Sequence, residues 1–559
     1  MAALSSGHVS STLYRHGVIH APSDPFAEAV LVADGVVVWL GTDDTASGLA
    51  DSADEVVDLD GALVAPAFVD AHAHVLETGF VREGVDLTER GGVRSLADAL
   101  ERVASAARDL PPGAAILGHG WDETSWPEGR GPTREELDRV SAGAPVYLAR
   151  VDVHSAVVST ALASAIDLEA EPGWSPDGRV VGAAHHRARL SARAVDDRRR
   201  ESLYRTALAD AVAHGIASVH EHSAPYIDTR DGLRALLEMT RDAESHLPLV
   251  VGYRGELCVT VDDARELLEA IPGLTGIGGD LNLDGSLGSR TAALRLPYAD
   301  DEAASADGAR PSTGELYLTG EQVSNHVAAV TRAGVQAGFH VIGDLAMDEL
   351  LLGLRAAAEV EGIEAIRAAG HRAESAAMID APHLAALVLL GVRLSVQPAF
   401  DAAWGGPAGM YAARLGAGRA AALNPFADLA AAGIPIAFGS DSPITPFDPW
   451  GAVRAAVRHH QKDQRISVRA AFRAHTRTGW QLAGLDHAGA GEIRIGAPAH
   501  LAVWRAEHLA VEGTDGTVAA WSVDARAGAP LLPDLDDGLP DPVCVRTVRD
   551  GVVLFDTMA

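Results

Sequence analysis

Eight short apolar runs, separated by Ala/Leu/Arg/Glu-rich stretches, constrain this chain more than any other feature. They are Ala67–Val69, Ile216–His220, Leu249–Gly252, Gly278–Leu283, Ala337–Ile342, His371–Ser375, Val392–Val396 and Pro435–Gly439. Strands buried on both faces read as near-continuous apolar runs, and strands that alternate with helices build a parallel sheet. Eight such units predict a closed (β/α)₈ barrel. A chain of 559 residues exceeds one ordinary domain but suits a large barrel with appendages, and its 47% hydrophobic content supplies a sizeable core.

The flanks have a different pattern. Ser11–His20, Ala29–Leu40 and Val56–Val64 alternate like short strands and are broken at Pro22-Ser-Asp-Pro25, Asp34-Gly35 and Asp60-Gly61. At the other end Glu492–Trp504 and Val543–Phe555 read the same way, with Asp550-Gly551 as a hairpin signal and an acidic loop over Asp534–Pro542. Neither flank has a large core of its own. Residues 1–64 and 488–559 are therefore expected to form one small β-sandwich domain, with a barrel over 65–487 inserted between them. The gap between the first two barrel strands is too long for one βα unit. It carries a predicted helix near Ser95–Ala107, strands near Ala115–His119 and Val146–Val151, and a turn at Pro176-Asp-Gly178. Residues of about 80–195 are read as an insertion over the barrel mouth.

Composition narrows the partners. A formal charge of -32 and a pI near 5.0 argue against nucleic acid and anionic membrane. The expected partner is a small-molecule substrate, with a homodimer as the one assembly considered. Cys258 and Cys544 form no metal-type pair, and Met1 to His8 has neither a basic start nor an apolar run. A reduced, cytoplasmic protein is the simplest expectation.

In a barrel of this kind chemistry sits at the C-terminal ends of the strands. The first strand leads into His72 and His74. Residues two apart on an extended chain point the same way, so both imidazoles can reach one divalent ion such as Zn²⁺. Later strand ends carry His220-Glu221-His222, Asp280, His340, Glu374-Ser375, Ser395 and Gln397, and Ser440-Asp441-Ser442. Each also has an ordinary reading. His340 alone suits a hydrogen-bonded core, and Asp441 a turn. His220 and His222 are read as loop histidines, Glu221 as a support behind the ligands, and Asp284-Gly285 as a turn. Trp121, Trp126 and Trp404 fit either core or pocket wall.

Six stretches together carry a resemblance: Ala67-Phe-Val-Asp-Ala-His-Ala-His74, Asp284-Gly-Ser-Leu-Gly-Ser-Arg-Thr-Ala-Ala-Leu294, His340-Val-Ile-Gly-Asp344, Ser395-Val-Gln-Pro398, Gly439-Ser-Asp-Ser-Pro443 and Gly496-Ala-Pro-Ala-His500. The sequence resembles the amidohydrolase superfamily, and within it the amidohydrolase-3 group of N-substituted formamide deformylase-like enzymes. The resemblance implies a metal-dependent hydrolase on a barrel with a small β domain from both termini. It places His72, His74, His340 and Asp441 on metal-ligand positions, with Asp441 also as the catalytic proton carrier. Asp280, Ser375, Glu374, Arg290, Gln397 and Glu221 are further site candidates. Two departures stand out. Ser375 takes the place where the group usually has a histidine, in Arg-x-Glu-His. Asp280 stands where many relatives carry a lysine that bridges two metals. Lys462 is the only lysine among 45 basic residues, so a lysine bridge is not expected and Asp280 becomes a carboxylate ligand candidate; without the sixth-strand histidine one zinc is favoured over two.

The expected reaction is hydrolysis of an amide, N-formyl or N-acyl C–N bond of a small molecule by an activated water. Two alternatives remain open at this point. One is a deaminase of a cyclic or aromatic amine, against which Gly343 counts, since adenosine-deaminase-like relatives have a glutamate there. The other, prompted by Ser375, is a binding protein with weakened metal chemistry.

Overall fold

The structure, a computed structural model, describes residues 10–111, 113–301, 312–511, 529–536 and 538–558. The stretch Met1 to His8 and residue 537 of the acidic C-terminal loop lie outside them. The eight-stranded sheet contains β1 (Phe68–Ala73), β2 (Ile216–Ser223), β3 (Leu249–Arg254), β4 (Gly276–Ile277), β5 (Gln336–Val341), β6 (Arg372–Ser375), β7 (Arg393–Val396) and β8 (Ile436–Phe438), in sequential order. Every neighbouring pair is parallel. The ring closes between its ends: the His74 amide donates to Ser442 O (2.8 Å), and the Asp441 amide donates to His72 O (2.8 Å). The protein is a (β/α)₈ barrel, and the seam that closes it lays Asp441 against His72 and His74.

Two strands depart from their expected bounds. β1 runs on through His72, because all six of its residues are buried between neighbours on both sides. The fourth strand was expected over Gly278–Leu283 and ends instead at Ile277. Gly278 and Gly279 hold φ of 127° and 81°. A Cβ would stand 2.0 Å from Gly338 O at the first and 2.1 Å from the His222 ring at the second. The glycines let the chain leave the ladder there and rejoin β5 at Asn282 and Leu283. Asp280 sits on the arc between, turned to the mouth.

The N-terminal end of β1 is aromatic. Phe68 meets Trp450, Phe472, His475 and Trp504 edge-on at centroid distances of 5.1–5.6 Å. Trp504 belongs to a five-stranded sheet, ordered Val18–Ile19, Leu63–Pro66, Leu501–Arg505, Val543–Arg549, Val552–Asp556. A four-stranded sheet from residues 11–58 faces it across Tyr14, Ile19, Val30, Val64, Leu501 and Val545. Both chain ends thus share one β unit. The turns at Asp34-Gly35 (φ 49°, 75°) and Asp550-Gly551 (49°, 77°) have the left-handed pair that two-residue hairpins need. The strand expected from Glu492 begins only at Leu501, since Gly491 and Gly496 hold φ of 80° and 87°.

Residues 85–181 form their own five-stranded sheet, packed on Leu87, Val93, Val103, Ile116, Trp121 and Leu148. The predicted helix is present over Leu96–Asp109, with the Ser95 hydroxyl accepting from the Asp98 amide at 3.2 Å. Trp121 and Trp126 belong to this core, whereas Trp404 reaches the mouth of the barrel.

Candidate metal centre

The Nε2 atoms of His72 and His74 converge on two carboxylates. His74 Nε2 lies 3.2 Å from Asp441 Oδ1 and 3.5 Å from Asp280 Oδ2; His72 Nε2 lies 3.6 Å and 3.5 Å from Oδ1 of the same residues. The Oδ1 atoms of Asp280 and Asp441 are buried and make no hydrogen bond. Asp441 reaches this position through a left-handed backbone, φ 54°.

The opposite edge of each ring is committed elsewhere. His72 Nδ1 bonds Glu374 Oε2 at 3.0 Å, and His74 Nδ1 donates to His222 O at 2.9 Å. A ring held by Nδ1 presents Nε2 as its ligand atom. Glu374 is itself gripped by Arg372, which also bonds Ala71 O and His220 Nδ1. His222 stacks on His72 at 4.0 Å and on Tyr253 at 4.9 Å. His220 and His222 are therefore buried strand residues, not loop residues, and His222 wedges the first ligand ring.

The electrostatics follow from burial and partners. Burial pushes both ligand carboxyls up, but the imidazoles outweigh it and hold Asp280 and Asp441 below the usual carboxylate range. Burial pushes both imidazoles down, and the carboxylates outweigh it and raise His72 and His74. The same field that attracts a proton attracts a cation. Donor atoms about 2.1 Å from a common ion at tetrahedral angles lie about 3.4 Å apart, which the measured 3.2–3.6 Å brackets. The two imidazoles and Asp441 form a group that could hold a divalent ion, with Asp280 beside them and reaching the two rings through different oxygens.

The other candidates occupy distinct places. The His340 ring lies 5.2 Å from that of His154, beside Asp280 and Asp441 in the wall of one cleft. Glu221 accepts from the Val75 amide (2.6 Å) at the start of helix α1 (Val75–Glu83); burial lifts its carboxyl to about 7. Asp284 is more than a turn residue, because it accepts from the amides of Ala293, Ile342 and Gly343. Position 343 has no room for a side chain, since a Cβ would stand 1.9 Å from Ala293 O. Ser375 holds φ 68°, and its buried hydroxyl has no partner. It lines a second, more apolar cleft with Gln397. Arg290 is not brought to the centre; it pairs with Asp300 at 2.9 Å and lines a separate cleft. His371 lies below the mouth and accepts from the Ala337 amide.

Several cleft residues were missed by sequence reasoning. Helix α2 (Gly182–Ala192) crosses the mouth from the insertion and supplies His185, His186 and Arg189, and the loop before the strand Ser155–Val158 supplies His154. Their one sequence signal was the adjacent pair His185-His186.

Comparison with known proteins adds a family. The model of the amidohydrolase family matches residues 55–555. Protein LONG AFTER FAR-RED 3 of Arabidopsis thaliana is 26% identical over 524 residues, spanning 86% of this chain and 85% of its own. N-substituted formamide deformylase of Arthrobacter pascens is 23% identical over 481 residues, 80% of this chain and 85% of its own. Among solved structures, an uncharacterized metal-dependent hydrolase from Pyrococcus horikoshii OT3 aligns at 27% identity with a TM-score of 0.68, over 88% of this chain and 97% of that one.

Proposed function

The chain belongs to the amidohydrolase family, and on that premise we propose that it is a metal-dependent hydrolase of a C–N bond in a small amide, N-formyl or N-acyl compound. One observation carries the reading: two imidazole Nε2 atoms and two unbonded carboxylate oxygens meet at the barrel mouth. The relative named as an N-substituted formamide deformylase and the Pyrococcus structure named as a metal-dependent hydrolase both support the reading.

His72, His74, Asp441 and Asp280 would hold the ion, with His340 beside them. Zinc suits this donor set. When bound, a divalent ion acidifies water toward neutrality and polarises a carbonyl. The chain's own residues do the rest. Glu374 fixes the His72 tautomer, and His222 O fixes that of His74. Asp441 accepts a proton from the attacking water and passes it to the leaving nitrogen. The water oxygen adds to the carbonyl carbon, the C–N bond breaks, and a carboxylic acid and an amine leave. A deaminase of the kind that uses an acid three residues after His340 lacks space for one at Gly343.

The test is elemental analysis of the purified protein, followed by turnover of an amide and N-formyl panel before and after chelation. Bound divalent metal, and hydrolysis that stops on chelation and returns with metal, are expected. His72→Ala and His74→Ala should each lose most of the metal and all turnover. Metal content and activity near wild type in either variant would reject the assignment.

A further inference from the structure

Two clefts meet at the metal centre and differ in chemistry. They share His154, His340, Asp441 and Ile444. One continues between Ile342, Phe400, Trp404, Met410 and Tyr411; Phe400 and Trp404 pack edge-on at 5.0 Å. The other continues under α2, against His185, His186, Arg189, Tyr226 and Tyr317.

Arg189 is the unusual member. It is 5% exposed, and its guanidinium makes one hydrogen bond, from Nη2 to Val153 O at 2.6 Å. Its Nε is buried without a partner. Among the described residues no carboxylate lies within ion-pairing distance of it. The one acid on this wall away from the centre, Glu77, is paired with Arg193. His185 bonds Tyr147 OH, and His186 stacks on Tyr226 at 4.0 Å, so neither ring neutralises the cation. Asp280 and Asp441 face the centre, where His72 and His74 lie against them and a divalent ion would balance them. The Tyr226 ring lies under the guanidinium, 5.9 Å from Cζ to its centroid, so Arg189 is a buried cation with an aromatic face but no carboxylate partner on this wall. Buried charges are normally paired, and a planar guanidinium fits a carboxylate with two hydrogen bonds.

We infer that this wall is a carboxylate subsite, and that the substrate is a carboxylate-bearing amide with an aromatic or branched apolar group across the scissile bond. The inference rests on the amide-hydrolase reading above. It seats the carboxylate at Arg189, the apolar group between Phe400, Trp404 and Tyr411, and the carbonyl at the junction of the two clefts.

The experiment uses the purified, metal-replete enzyme with N-benzoyl derivatives of glycine, β-alanine and γ-aminobutyrate, each as free acid and as primary amide. Both kcat/KM and, by calorimetry, the affinity for benzoate-type and ω-phenylalkanoate acids are measured in wild type, Arg189→Gln and Arg189→Lys. At least one acid should be preferred over its amide by tenfold or more. Charge-assisted hydrogen bonds of this kind put the loss of that preference in R189Q at about thirtyfold, with substantial retention in R189K. Equal use of acids and amides by wild type overturns the inference, as does an acid preference that survives in R189Q. An equal fall for acids and amides in R189Q makes Arg189 a structural prop and also overturns it. If acids bind in an Arg189-dependent way but no amide is cleaved, the subsite stands and the hydrolase reading falls. Cleavage of amides without acid preference has the opposite meaning.

Discussion

Asp441 and Ser375 end the eighth and sixth strands in the left-handed backbone region, at φ 54° and 68°. Few non-glycine residues tolerate it; Asp and Asn do so best, because a short polar side chain bonds locally. At position 441 this conformation turns the carboxylate back across the barrel seam toward His72 and His74. Asp441→Asn is therefore a clean replacement, keeping size and backbone tolerance while removing the charge and the proton acceptor. We expect the thermal midpoint to stay within a few degrees of wild type and kcat to fall about a hundredfold or more, as loss of a general base does. A kcat near wild type, with metal retained, would exclude Asp441 as proton carrier. The Ser375 hydroxyl is buried and unbonded, and at φ 68° it lines the more apolar cleft with Gln397.

Elements were legible where local chemistry decides them and obscure where distant contacts do. Seven of the eight barrel strands lie within a few residues of their apolar runs, because burial on both faces leaves an uninterrupted hydrophobic signature. The fourth does not, because Gly278 and Gly279 serve a close approach to Gly338 and His222 that no local pattern announces. His72, His74 and Asp441 could be read from strand ends, whereas Arg189 and His154 reach the cleft only when the insertion docks. The helix Arg134–Val140 in that insertion offers a local test. Its capping box joins Thr133 and Glu136, and Arg130 grips Glu136 with two hydrogen bonds of 2.8 and 2.9 Å. Those bonds, with the Thr133 amide, hold the Glu136 carboxyl down to about 2, against an ordinary value of 4.5. A depressed carboxyl stabilises the fold above its unfolded value and loses that contribution as pH falls through the folded one. Glu136→Gln keeps the cap but not the charge. It should cost about 0.5–1 kcal/mol near pH 7, and the difference should vanish as the pH drops from about 4.5 to about 2. Urea titrations of both proteins across that range measure it. A gap that persists at the lowest pH would mean that shape, not charge, sets the contribution.

At the scale of the whole molecule, the metal centre depends on packing at the far end of β1. Strand Leu63–Pro66 of the terminal β unit pairs with Leu501–Arg505 and passes through Ala67 directly into β1. One continuous core includes Leu63, Ala65, Ala502 and Trp504 with Phe68, Ile216, Trp450 and Phe472 of the barrel. Trp504 closes that junction. It is 2% exposed, meets Phe68 and Trp450 at 5.6 Å, and lies so near Gly215 that a Cβ there would stand 2.3 Å from its ring. An insertion whose parent shares its core should not melt independently of it, so the β unit and barrel are expected to unfold together. Trp504→Ala removes a large buried ring and should cost about 3–5 kcal/mol. Because the ring braces the start of the strand that carries His72 and leads into His74, loss of backbone circular dichroism and release of the metal should shift to lower urea together, with one shared midpoint. Two separated midpoints in the variant or the wild type, with the metal retained after the first, would show that the terminal β unit is an appendage and not the foundation of the first barrel strand.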